Sequence, residues 1–182
     1  MDPIVTKSGT RILRPSEFKA LINAVDKIEN KENLEALLYT GARYSELLVL
    51  QNEPKLFKGN AIKMPAVKKK RTHNERYIRL NPQGIRAIEY FLRHERQLPA
   101  YQGWDVNLKR WALKAEIDPQ GITVKTTRKT FESWLVTKYP RSLEYVFLSQ
   151  GHNQMTALRF YLMLPFTDQD KIEMEAYTSG WI

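Results

Sequence analysis

Gly151-His152-Asn153-Gln154-Met155-Thr156-Ala157-Leu158-Arg159-Phe160-Tyr161 is the stretch on which the reading of this chain turns. It sets a tyrosine nine residues after a Gly-His pair. Upstream stand Thr40-Gly41-Ala42-Arg43-Tyr44-Ser45-Glu46-Leu47 and Lys125-Thr126-Thr127-Arg128. No single run is decisive. Their order and spacing together are specific.

Around these runs the chain reads as mostly helical. Ser16 follows Pro15 as a candidate N-cap, and Phe18, Leu21, Ile22, Val25 and Ile28 then recur at helical spacing. A second helix carries Leu34, Leu37 and Leu38 and ends at Gly41. A third begins near Arg43, and Pro54 closes the block. Residues 55–58 and 61–64 flank Gly59-Asn60 as a hairpin, and 76–80 reads as a third strand. Between the last two strands runs the basic loop Lys68-Lys69-Lys70-Arg71. Helices resume after Asn81-Pro82, 97–103 reads as a loop, and another helix spans about 105–115. Asp118-Pro119-Gln120-Gly121 is a turn. Helices near 126–138, 142–149 and 154–163 follow, the last bounded by Pro165. The expectation is an α+β fold, mostly α, with a small three-stranded antiparallel sheet.

The chain has 182 residues, 42% of them hydrophobic, which suffices for one core. A net charge of +9 points to an anionic partner, with nucleic acid first. Without cysteine, disulfides and zinc-thiolate sites are excluded. Three scattered histidines (His73, His94 and His152) make a poor metal site. No apolar run approaches the roughly 18 residues of a membrane span. Met-Asp-Pro-Ile-Val lacks the pattern of a signal peptide, so the chain is expected inside the cell.

Arg43 and Glu46 share a helical face, so the carboxylate can hold the guanidinium while its other donors face a phosphate. The same spacing also suits a surface ion pair worth at most ~1 kcal/mol. Lys125 and Arg128 put two cations on one face, although a solvated basic face looks the same. Tyr161 is one of nine tyrosines, and Leu158, Phe160, Leu162 and Leu164 around it fit plain packing. A phenol of pKa ~10 needs a base or nearby cations to act at neutral pH. Two arginines, a lysine, a histidine and a late tyrosine suit attack of a tyrosine hydroxyl on a phosphodiester held by cations.

On these residues the chain resembles the catalytic domain of tyrosine recombinases (phage-type integrases). Within them it looks most like the integrase of archaeal spindle-shaped fuselloviruses. The resemblance runs from about Arg14 to Tyr161. It implies that Tyr161 is the nucleophile and that Arg43, Lys125, Arg128 and His152 stabilise charge on the phosphate, with Glu46 in support. Lys125 stands where the family usually has histidine. Its usual pKa of ~10.4 makes it a poor base there. The family also places an essential lysine between its second and third strands, which protonates the leaving 5′-oxygen. Register puts it at Lys70. The loop is one or two residues longer than usual, so Lys69 remains an alternative. Lys68, Lys69 and Arg71 would contact the DNA backbone.

The resemblance further implies strand cleavage and rejoining through a 3′-phosphotyrosyl link, without cofactor or metal. The partners would be double-stranded DNA attachment sites and three further protomers. The outcome would be provirus integration or excision, on host-cell DNA in the cytoplasm of a prokaryote. Residues 1–182 would form one catalytic domain without the family's N-terminal core-binding domain. The tail 166–182 would dock on a neighbouring protomer, against the bland alternative of a frayed terminus. Two rivals stand beside this reading. A type IB topoisomerase usually carries a Ser-Lys element before its tyrosine, and none precedes Tyr161. A non-catalytic DNA-binding module would not need the Arg-Lys-His-Tyr set. A metal-dependent transposase fits less well, since no Asp/Asp/Glu set on strands is evident.

Overall fold

The computed structural model describes residues 2–65, 75–93, 97–152 and 160–182. Within them the chain is mostly helical, with two small antiparallel ladders. The basic residues Lys68, Lys69, Lys70 and Arg71, with His73 and His94, lie outside the described residues.

The spine is α6 (Thr126–Lys138), whose residues from Thr126 to Val136 are buried apart from Lys129. A helix buried all round needs partners on every side. It packs on α2 (Ile28–Thr40), α7 (Leu143–Gln150) and α8 (Asp168–Thr178), and on the strand β2 (Arg11–Ile12). Thr130 and Trp134 tie that strand end down: the Leu13 amide donates to Thr130 Oγ1 at 2.9 Å, and Trp134 Nε1 donates to the Leu13 carbonyl at 3.1 Å.

β2 pairs with β1 (Ile4–Val5), a hairpin absent from the sequence reading. Strands of two residues are too short to show alternation, so only Ile4 and Ile12, both buried, betray them. α1 (Pro15–Ala24) starts one residue earlier than Ser16 suggests. Pro15 at its first turn is pre-set for helix, and the Glu17 carboxylate accepts from the Arg14 amide at 2.8 Å. Ile28 lies outside α1, opens α2 and is exposed.

The expected three-stranded sheet is a two-stranded one. β3 (Ala61–Met64) pairs with β4 (Arg76–Arg79). Pro54 begins a 3-10 turn over Pro54–Leu56, so only Phe57 is left to bridge Ile62. The turn at Gly59-Asn60 is as read, with the Lys58 amide donating to the Ala61 carbonyl at 2.8 Å. After α4 (Pro82–Arg93), α5 (Tyr101–Lys114) begins inside the expected loop, because Ala100 is already the extended N-cap. Tyr101 there sets its ring edge-on to Tyr44. Of the helix expected near 154–163, residues 153–159 lie outside the description, and Phe160–Met163 form a 3-10 turn.

The acidic tail is helical and packed on its own chain. Thr167 and Asp170 form a capping box at the start of α8. Asp170 also pairs with the buried Arg14 guanidinium. Met174 and Trp181 are buried, and the Tyr177 ring lies 5.0 Å from that of Trp134, centroid to centroid. Trp181 Nε1 donates to the Arg79 carbonyl at 3.2 Å, tying the tail to β4.

Candidate active site

Three helix ends meet on one side of α6. α2 stops at Gly41, whose φ of +57° suits glycine. α3 (Tyr44–Asn52) starts at Arg43, and α7 stops at Gly151 with φ +63°. A Cβ on Gly151 would stand 2.6 Å from Arg76 Cδ, so the missing side chain lets β4 approach.

Arg128 joins two of these ends. Nη1 donates to the Gly41 carbonyl at 2.7 Å, and Nη2 donates to the Gln150 carbonyl. Both acceptors lie at helix C-termini, where carbonyls lack partners and carry partial negative charge. Burial draws the Arg128 guanidinium down to about 10, which still leaves it cationic at neutral pH.

Arg43 Nη1 donates to Glu46 Oε1 at 2.8 Å, as the spacing of the two residues predicts. The Glu46 carboxylate also caps the Arg43 amide at 2.7 Å. Its stronger partner is one the sequence reading treated only as a strand residue. Arg76 Nη2 lies 2.6 and 2.7 Å from the two Glu46 oxygens, and Nη1 donates to the Ser149 carbonyl. Glu46 is thus shared between two arginines from separate elements. Burial pushes its carboxyl up, but Arg76 and the contacts of Arg43 outweigh that and hold it below the usual range. Arg43 stays half exposed, with donors to spare.

These groups border a cleft of about 610 Å³. Arg43, Tyr44, Lys125, Arg128, Lys129 and His152 contribute to its wall. Lys125 is the exposed N-cap of α6. Four of the six residues read as catalytic, namely Arg43, Lys125, Arg128 and His152, therefore share one cavity. Tyr161 does not line it. Its side chain is buried just behind, on the 3-10 turn, with its hydroxyl 2.9 Å from Glu132 Oε2.

Glu132 is the residue the sequence reading missed. It is fully buried on α6, four residues after Arg128. Its carboxylate meets Tyr161 Oη, His152 Nε2 and Lys129 Nζ, the last at 3.0 Å. A sequence signal existed: an acid at helical spacing from Arg128, between the aromatic residues Phe131 and Trp134. Burial lowers the His152 imidazole to about 4, with Arg128, Lys129 and Arg43 adding to burial and Glu132 opposing it. Burial raises the Tyr161 phenol, and the charge and hydrogen bond of Glu132 raise it further.

The His152 shift sets a pH dependence. Between its unfolded value near 6.5 and about 4, the unfolded chain takes up a proton that the folded chain refuses. Stability should therefore fall as pH drops through that window. Glu46 adds a further loss below about 4.3, where its unfolded form protonates first. Melting temperatures from pH 7 to 4 should show the decline. His152→Gln should flatten its upper part.

No protein-family model matches the sequence, and no curated protein was found similar to it by sequence. Solved structures do resemble the fold. The Tn1549 transposon integrase, in complex with circular intermediate DNA, superposes with a TM-score of 0.67 at 19% identity, covering 91% of this chain and 66% of that one. XerA recombinase gives 0.66 at 18% identity, over 98% of this chain and 67% of its own. XerH site-specific recombinase bound to a palindromic difH substrate gives 0.60 at 18%, over 96% of this chain and 54% of its own. The chain thus spans about two thirds of the length of the first two. At these identities the likeness is one of fold. Among the described residues, no helix is long and apolar enough to cross a membrane.

Proposed function

We propose that this chain is the catalytic part of a site-specific DNA recombinase or integrase of the tyrosine type. The observation that carries the reading is the convergence of Arg43, Lys125, Arg128 and His152 on one cleft, with the Tyr161 hydroxyl one side chain behind it. This occurs in a fold shared with an integrase and two recombinases.

In this mechanism the cleft seats the scissile phosphate. Arg43 and Arg128 neutralise its non-bridging oxygens, with Lys125 beside them and His152 as a further donor. Glu46, anchored by Arg76, fixes Arg43. Tyr161 Oη attacks phosphorus and forms a 3′-phosphotyrosyl link, and Lys70 protonates the departing 5′-oxygen. Lys69 is the alternative for that step, and both lie in the basic loop with Lys68 and Arg71. The link retains the energy of the phosphodiester, so neither ATP nor another cofactor is required. The surplus of cations performs the charge neutralisation that a metal ion performs elsewhere. A 5′-hydroxyl from a partner strand then reverses the attack. Four protomers on two attachment sites, provirus integration or excision as in the fuselloviral enzymes, and exchange of residues 166–182 between protomers complete the proposal. That exchange requires undocking of Met174 and Trp181 from the core each now fills.

The test is a duplex nicked just beyond the cleavage site, which loses its leaving strand and traps the link. The unsubstituted chain should form an SDS-resistant adduct in excess EDTA, and peptide mapping should place it on Tyr161. Failure to form an adduct with any attachment-site duplex, or strict dependence on added magnesium or manganese, would overturn the reading.

A further inference from the structure

We infer that Glu132 is the proton acceptor for Tyr161, taking the hydroxyl proton as the oxygen–phosphorus bond forms. The inference rests on the function proposed above and assigns a further catalytic residue to it.

A fully buried carboxylate is costly unless its charge is met. Phe131, Trp134 and Leu135 on the same helix are fully buried and apolar, so packing alone does not call for an acid here. The fold instead gives Glu132 three polar partners from three elements. Lys129 comes from α6, His152 from the end of α7, and Tyr161 from the 3-10 turn. Arg128 and Glu132 act on each other through their charges along α6, and Arg43 adds its positive charge at His152.

Two features make this carboxylate a base and not only a tether. The first is the state of the phenol. Burial and Glu132 itself hold it protonated far above neutral pH, so free phenolate is scarce. Attack then requires an acceptor at the moment of bond formation, and Glu132 Oε2 accepts that proton at 2.9 Å while Tyr161 is tucked behind the cleft, so the phenol needs only to turn about this contact to present its oxygen to phosphorus. His152 is a poor rival, since burial lowers its affinity for a proton to a pKa of about 4 and its Nε2 is turned to the same carboxylate rather than to the phenol.

The second feature is location. Lys129 and His152 both touch Glu132 and both reach the cleft wall. A phosphate seated in the cleft draws these donors toward itself and leaves the carboxylate less neutralised. In the step, the bond from Tyr161 Oη to phosphorus forms and the bond from phosphorus to O5′ breaks. The phenolic proton passes to Glu132 Oε2, and O5′ departs with the proton of the leaving-group acid proposed above. On rejoining, the protonated Glu132 returns its proton to the departing phenol.

Glu132→Gln separates the two roles, because the amide oxygen keeps the hydrogen bond but cannot take the proton. Single-turnover adduct formation on the nicked duplex should fall about 100-fold or more, with DNA binding unchanged. The rate of the unsubstituted chain should be nearly flat between about pH 6 and 9, while that of the variant should climb roughly tenfold per unit. Replacing Tyr161 by the more acidic 3,5-difluorotyrosine should restore much of the loss. A Glu132→Gln chain that cleaves at the normal rate overturns the assignment. So does a loss that the fluorinated residue fails to recover, which would mark Glu132 as a positioning residue. If Glu132→Gln does not fold, difluorotyrosine in the otherwise unsubstituted chain decides. An acid limb that stays in place supports Glu132, and one that moves down with the phenol overturns it. Absence of any adduct from the unsubstituted chain overturns the proposed function itself, and this assignment with it.

Discussion

Tyr161→Phe should abolish every covalent protein–DNA adduct while leaving DNA affinity within about twofold. The substitution removes one oxygen from a ring that is buried and otherwise packs unchanged. Glu132 Oε2 keeps Lys129 as a partner, so the lost hydrogen bond should cost stability only about 1 kcal/mol. The effect on chemistry should be complete because the three other tyrosines of the C-terminal third are engaged or turned away. Of the two in the cleft wall, the Tyr44 hydroxyl is committed to the Pro99 carbonyl at 2.6 Å, while Tyr101 has no carboxylate partner like Glu132 among the described residues. The Tyr139 hydroxyl donates to the Thr178 carbonyl at 2.7 Å, and the Tyr177 ring is stacked within the aromatic cluster beneath α8. Tyr145 lies exposed under the Arg79 guanidinium, on a helix that contributes no residue to the cleft wall. The assay is adduct formation on the nicked duplex, read beside a binding titration at fixed salt, since phosphate contacts make affinity salt-dependent. An SDS-resistant adduct from the phenylalanine variant would place the nucleophile elsewhere.

Arg128→Lys should be almost as damaging, although charge is kept. The guanidinium spans two carbonyls from different helices, Gly41 and Gln150. A single ammonium on a flexible stem reaches one of them at best, and the other is left buried and unpaired. That should cost about 1–3 kcal/mol in urea denaturation. The cleavage rate should fall by about 10²–10³, the range for losing one preorganised charge stabiliser. The two losses have one cause, because Arg128 fixes the helix ends that carry Arg43 and His152 around the cleft. A lysine variant of normal stability would mean that water satisfies the second carbonyl. One with normal cleavage would remove Arg128 from the chemistry.

Much of the fold was legible because it is written in local signals. Gly41 and Gly151 stop helices where left-handed backbone is needed, and Gly59-Asn60 turns a hairpin. The tail was harder. The sequence offers a frayed end or a segment docked on a neighbour, yet Asp170 is buried against Arg14, and Met174 and Trp181 are buried in the core of their own chain. Charge count along the chain does not say which carboxylate meets a cation 156 residues away.

The same division holds at the candidate site. The sequence by itself determined the mostly helical class, the basic character, and the spacing that singles out Arg43 with Glu46, Lys125 with Arg128, and His152 with Tyr161. Those features depend on neighbours within a turn or two of helix, so periodicity exposes them. Only the tertiary structure decided that Arg76 shares Glu46, that Arg128 ties two helix ends, and that Glu132 stands between the histidine and the tyrosine. Each of these joins side chains from separate elements. The energy that selects them is the cost of leaving a buried charge or carbonyl unmet, and that cost exists only once the elements have packed.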